Sequence, residues 1–276
     1  MYTASALSGH EAQPRRGYWW FVPREFGAWT MLVTGYLTTL MVADAFSTAA
    51  LLLIPAVVFL LLAKEPVDRL LRAKAGGRAL YAWIATGELA ASAVAGVLAA
   101  RTSHAALLYL LPILAVPPYA FAVLLGFLPE KWRTLRELVA TTGLCLIVPG
   151  TWAALGLPAD MAMLIVYFGL VLHFLYGVGF LRLQIVAAKT NMDAADVRQG
   201  TLLLAGSASL LTLLVVALSL FGYLPIWAAV PLLPQMARAY LWLGGQHPWL
   251  NMRRMGRQEV VLAVALMALF TLVAHA

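Results

Sequence analysis

The chain has 276 residues, of which 63% are hydrophobic and 11% charged, with a mean hydropathy of +0.85 and a formal net charge of +7. A soluble domain is nearer half apolar and a quarter charged, so this composition leaves no water-facing surface. It also removes nucleic acid as the partner of the basic excess, which is left to membrane orientation, anionic lipid heads or an anionic substrate.

Residues 1–25 are interrupted by His10, Glu11, Arg15 and Arg16, where a signal peptide would have its apolar core. They are expected to form a cytosolic leader ahead of a single transmembrane domain over 26–276. Apolar runs bounded by charge or by Gly/Pro clusters predict nine spans, near 26–44, 46–63, 79–100, 105–128, 138–155, 161–181, 200–221, 224–243 and 258–275. The runs are continuous rather than alternating, which specifies an all-α polytopic bundle and not a barrel. Pro112, Pro117 and Pro118 in the fourth span, and Pro231 and Pro234 in the eighth, are expected to kink or break it. The single cysteine, Cys145, lies in an apolar run, so the chain has no disulfide and no thiolate metal cluster.

The basic residues support this map. With the N-terminus inside, Arg15, Arg16 and Arg24 precede the first span, and Lys64, Arg69, Arg72, Lys74 and Arg78 follow the second. Lys131, Arg133 and Arg136 follow the fourth, and Arg182, Lys189 and Arg198 the sixth. Arg238, Arg253, Arg254 and Arg257 belong to the inner end of the eighth and the loop after it. Only Arg101 of the 19 cations falls outside, which predicts a cytosolic N-terminus and an outer C-terminus, in a membrane of the bacterial inner type. Arg238, five residues from the end of its span, is expected to snorkel to the inner surface. Trp19, Trp20, Trp29, Trp132, Trp242 and Trp249 are expected to form an inner aromatic belt.

Two loops carry paired acids. After the second span, Glu65, Asp68 and Arg72 share one face if the helix continues past Pro66, and two carboxylates a turn apart can hold a hydrated Mg²⁺. The competing reading is a solvated face of paired charges. After the sixth span, Asp193 and Asp196 stand three apart, with Asn191 before them and Gly200 beyond. Asn191 or Asp193 equally suits a helix N-cap. The two segments together resemble the UbiA superfamily of intramembrane prenyltransferases, nine-helix proteins with Asp-rich motifs at these two places. Their first motif, NDxxDxxxD, becomes Lys64, Glu65, Asp68 and Arg72, and their second, ending in D-x-x-x-G, falls on Asp196 and Gly200, with Asp193 displaced by one place. The resemblance implies catalytic Asp68 and Asp196, and Mg²⁺ held by Glu65, Asp68, Asp193 and Asp196. A prenyl diphosphate would then lose its diphosphate to the metal as an acceptor captures the allylic cation. The basic Lys64 and Arg72 instead suit direct contact with an anionic head group, together with Arg182, Lys189 and Asn191.

Pro23-Arg24-Glu25-Phe26-Gly27-Ala28-Trp29-Thr30-Met31-Leu32 resembles the opening of the YwiC-like membrane proteins, P-x-E-H-G-A-W-x-M-L, with Phe26 in place of His. Weaker likeness continues in Arg136-Glu137-Leu138, Phe180-Leu181-Arg182 and Met255-Gly256-Arg257-Gln258-Glu259. That family shares the UbiA-like helical plan and generally lacks the full Asp-rich motifs.

Inside the spans, Glu88 and His173 are the deep ionisable groups; Glu88 calls for protonation or a partner, and His173 for an interhelical hydrogen bond. Tyr167, Phe174 and Tyr176 suit core packing or the wall of an isoprenoid tunnel. The expected function is binding of a lipid-like or isoprenoid anion at a cytosolic-rim cavity, with Mg²⁺-dependent prenyl transfer if the acids are active. The alternatives are a non-catalytic subunit or assembly factor working with other membrane-protein subunits, and a small-solute transporter.

Overall fold

The computed structural model describes residues 26–72, 78–125, 132–190, 192–245 and 252–275, except the side chains of 26, 111–114, 122–123, 133, 188–190 and 252–254. The expected leader, which includes Pro23 to Glu25 of the YwiC-like opening segment, and Asn191 lie outside the described residues, as does the Lys189 side chain. Among the described residues there are helices and no strands: α1 (Phe26–Ala43), α2 (Thr48–Arg72), α3 (Arg78–Ser103), α4 (Ala106–Leu125), α5 (Arg133–Leu144), α6 (Ile147–Ala154), α7 (Met161–Thr190) and α8 (Ala194–Leu220). A 3₁₀ segment over Ile226–Leu232 then leads into α9 (Leu233–Leu243), and α10 (Met252–Ala274) follows.

Six stretches among the described residues are long and apolar enough to cross a membrane, namely α2, α3, the α5–α6 unit over Thr134–Ala154, α7, α8 and α10. The chain is therefore an integral membrane protein of polytopic helical architecture. The first, fourth and eighth expected spans are shorter elements, α1, α4 and the 3₁₀–α9 unit.

Prolines explain where the rods break. Pro149 has no N–H to offer the Cys145 carbonyl four residues back, and that carbonyl accepts instead from Val148 N at 3.0 Å. The chain tightens there, so the predicted fifth span is two helices with a turn at Cys145 and Leu146. Pro231 and Pro234 turn the first half of the predicted eighth span into 3₁₀. By contrast α2 runs through Pro66 without a break, and α4 through Pro117 and Pro118.

Packing centres on α7, which touches α1, α5, α6, α8, α9 and the 3₁₀ segment. Its Ile165, Val166, Leu170, Val171 and Phe174 are buried with Ala28 and Leu32 of α1, Val148 and Ala153 of α6, and Leu266 and Phe270 of α10. Gly169 admits the 3₁₀ segment: a Cβ there would stand 2.4 Å from Pro231 Cγ and 3.0 Å from Phe270 Cζ. Helices α2 and α3 form a long hairpin, their contact built from Ala49, Ala56 and Ala63 on one side and Ala85, Ala95 and Ala99 on the other. Such small residues let helix backbones approach closely in lipid, and Ser92 Oγ donates across the hairpin to the Ala56 carbonyl at 2.7 Å.

Candidate functional site

Three places hold the residues singled out above, two at helix ends, those of α2 and α8, and one inside the bundle. The first is the last two turns of α2. Because the helix continues past Pro66, Lys64, Asp68 and Arg72 stand at successive i, i+4 positions. Glu65, three residues before Asp68 on the same helix, accepts from Arg69 Nε at 2.9 Å, a part-exposed pair that contributes little to stability. The charges acting on the Asp68 carboxylate are Lys64, Arg72, Glu65 and, from α5, Arg136. Tyr119 of α4 feels the same carboxylate, and its hydroxyl is buried without a hydrogen-bond partner among the described residues. Asp68 is thus a half-buried acid among three cations drawn from two helices, with a phenol contributed by a third.

The second place is the start of α8. Asp193 is its N-cap, accepting from Asp196 N at 2.8 Å. Asp196 is exposed in the first turn, where the helix dipole favours an acid. Gly200 is explained by packing, since a Cβ there would come within 2.6 Å of Leu183 Cδ1 on α7. Among the described residues no three His, Cys, Asp or Glu side chains are gathered as metal ligands. Glu65 gives Oε1 to Arg69, and Asp193 gives Oδ1 to a backbone amide. Removing the cap by Asp193→Ala should destabilise the first turn of α8 by about 1 kcal/mol, whereas Asp193→Ser should restore it. Hydrogen exchange of the amides from Ala194 to Val197 reads the difference, and equal protection in both variants would remove the capping role.

The third place lies inside the bundle. Arg182 of α7 donates through Nε and Nη2 to the two carboxylate oxygens of Glu137 on α5. Its side chain is 12% exposed and its forked edge is occupied. Further in, Arg238 of α9 is buried and gives Nη1 to Glu259 of α10. Its guanidinium lies over Phe180 and Trp242, 5.0 and 4.7 Å from the ring centroids. His173 of α7 is fully buried, with Nδ1 3.3 Å from the Pro231 carbonyl and Nε2 3.4 Å from Gln235 Nε2. A carbonyl only accepts, so Nδ1 carries the proton and Nε2 accepts from the Gln235 amide. The same Gln235 nitrogen donates to the His173 carbonyl at 3.1 Å. Gly177 makes room for this layer: a Cβ there would meet Glu259 Oε2 at 2.9 Å.

Two expectations are corrected here. Arg238 does not snorkel; it is 4% exposed, because Glu259 and two aromatic faces hold it in the interior. Trp242 is 1% exposed and forms part of this cluster rather than a surface belt. Glu88 is buried on α3, and Phe174 is buried in the core with His173 against its ring edge. The residues that sequence reasoning passed over are Tyr119, Arg136, Glu137, Gln235 and Glu259. Three of them lie in the segments Arg136 to Leu138 and Met255 to Glu259, where a weaker resemblance to the family's pattern was the available signal.

In comparisons with known proteins, the model of a family described as YwiC-like protein matches residues 22–151. No curated protein and no solved structure matches the chain. The matched stretch contains Lys64, Asp68, Arg72, Tyr119 and Arg136, and ends before Arg182, Asp196 and Arg238.

Proposed function

We propose that this chain, whose residues 22–151 match the model of a family described as YwiC-like protein, binds the anionic head of a lipid-like or isoprenoid ligand where Lys64, Arg72 and Arg136 act on Asp68, at the cytosolic face of a bacterial inner membrane. The observation that supports this reading is the charge balance around Asp68. Three cations act on one carboxylate, and the neighbouring Glu65 is already matched by Arg69. Cations gathered at the end of a membrane helix favour an anion, and the Tyr119 hydroxyl, which feels the same carboxylate and has no hydrogen-bond partner among the described residues, supplies a donor. The apolar tail of such a ligand stays in the bilayer, so the protein needs to recognise only the head.

The test is binding to the purified full chain in dodecyl maltoside, comparing geranylgeranyl diphosphate with the neutral alcohol geranylgeraniol. The diphosphate should bind and the alcohol should not, and Arg72→Ala or Arg136→Ala should each weaken binding about tenfold, as expected for a charge-assisted contact of about 1.5 kcal/mol. EDTA should leave binding unchanged. Equal binding of both probes, or no response to the substitutions, would remove the head-group site. Mg²⁺-dependent release of diphosphate that is lost in Asp68→Ala and Asp196→Ala would overturn the reading in favour of prenyl transfer.

A further inference from the structure

Asp68 stands in the path of any anion that reaches the rim cations. Lys64 and Arg72 lie one turn before it and one turn after it on α2, about 6 Å along the helix axis in each direction. A head group held by both therefore rests beside the Asp68 carboxylate. Arg136 acts on the same carboxylate from α5. The place is open to a ligand, since Arg72 is exposed and Lys64, Asp68 and Arg136 are part-exposed.

The neighbouring acids are matched by other bases. Glu65 accepts from Arg69, and Glu137, next to Arg136 on α5, takes the forked edge of Arg182 on α7. With Glu65 set against Arg69, the cations acting on Asp68 are Lys64, Arg72 and Arg136, and together with the carboxylate they carry an excess of two positive charges.

We propose that Asp68 is a specificity-determining residue, which selects the dianionic head of a phosphate monoester over a trianionic diphosphate or a monoanionic phosphodiester; the inference rests on the rim being a head-group site. A monoester carries close to two negative charges above its second pKa of about 6, and so cancels the excess. A diphosphate brings a third charge, which meets the Asp68 carboxylate as a like charge, and repulsion at a rim against the bilayer is stronger than in open water. A phosphodiester brings one charge and leaves one cation unmatched. An uncharged side chain in place of Asp68 would raise the excess to three and favour the diphosphate. The monoester head occurs on an isoprenoid, as a prenyl phosphate, and on a diacylglycerol, as phosphatidic acid, and the experiment separates these two sources.

Binding is measured by calorimetry with the full chain in dodecyl maltoside, at about pH 8 and one fixed salt concentration, so that the monoester is a dianion and screening is the same for every probe. The probes are geranylgeranyl phosphate, geranylgeranyl diphosphate, dioctanoyl phosphatidic acid and dioctanoyl phosphatidylglycerol, with geranylgeraniol as the neutral reference. In wild type the monophosphate should bind about tenfold more tightly than the diphosphate, and phosphatidic acid about tenfold more tightly than phosphatidylglycerol. Asp68→Asn keeps the shape of the side chain and should reverse the first preference in favour of the diphosphate. Lys64→Gln lowers the excess to one charge and should bring phosphatidic acid to within about threefold of phosphatidylglycerol. If Asp68→Asn does not fold, the wild-type ranking and Lys64→Gln carry the test. Tighter binding of the prenyl phosphate assigns the ligand to an isoprenoid and tighter binding of phosphatidic acid assigns it to a lipid; either supports the selection. A diphosphate bound as tightly as the monophosphate in wild type, or a ratio unchanged in Asp68→Asn, would overturn the selection while leaving the head-group site in place. If no phosphate binds more tightly than geranylgeraniol, the site itself is removed and the selection with it.

Discussion

Glu259→Ala is expected to lower the melting midpoint of the protein in dodecyl maltoside by about 10 °C, following from the roughly 3–5 kcal/mol lost when one member of a buried ion pair is removed. The cause is the partner left behind. Arg238 Nε and Nη2 have no hydrogen-bond partner among the described residues, and without Glu259 the charge is left in the interior against the faces of Phe180 and Trp242. Glu259→Gln, which keeps an acceptor oxygen for Nη1, should lose less. Removing both partners as Arg238→Met with Glu259→Leu should recover most of the loss, because buried pairs are often replaced by packed apolar groups at little cost. A midpoint for Glu259→Ala within 2 °C of wild type would show that the pair does not hold α9 against α10.

Gly169→Val should be comparably damaging for a steric reason. The proline ring that a Cβ would meet at 2.4 Å cannot rotate away, and Phe270 Cζ closes the other side at 3.0 Å. Overpacking of this kind costs about 3 kcal/mol or more, well beyond the roughly 1 kcal/mol that a helix gains on losing a glycine. The displaced 3₁₀ segment also carries the Pro231 carbonyl that His173 Nδ1 reaches, so the strain should spread to that hydrogen bond. Gly206→Ala is the matched control on α8, with nothing within 4 Å of the new Cβ. Thermal unfolding of the two variants side by side should show a large loss for the first and none for the second; equal midpoints would mean that the 3₁₀ segment yields freely.

Much of the scaffold was legible in the residues. Apolar runs set the helices, and the prolines at 231 and 234 announced the broken eighth span. Pro149 gave the same warning for the fifth, yet a lone proline in an uncharged apolar run does not distinguish a tightened turn from a tolerated kink. At the rim, the i, i+4 spacing of Lys64, Asp68 and Arg72 was readable because it is local. Arg136 and Tyr119, which complete that neighbourhood, come from other helices, and no periodicity records which helices are neighbours. The interior pairs were hidden for the same reason. Glu137 and Arg182 are 45 residues apart, and Arg238 and Glu259 are 21 apart. Arg238 was expected to snorkel and Arg182 to meet a head group, and pairing across the bundle is what holds both inside. Asp193 shows the opposite limit: the sequence offered both a cap and a ligand, and its contact to the Asp196 amide is the cap.

The turn that Pro149 creates seals Cys145, the sole thiol of the chain, at 1% exposure between α5 and α6. For chemical labelling the protein is therefore silent as it stands, and a cysteine introduced elsewhere is the one that a membrane-impermeant maleimide meets in intact cells. Ser103 at the end of α3 and Arg72 at the end of α2 stand at opposite ends of the α2–α3 hairpin. A tag at each converts the bias of the basic residues into a direct reading of which way round the chain sits, without altering the packed centre.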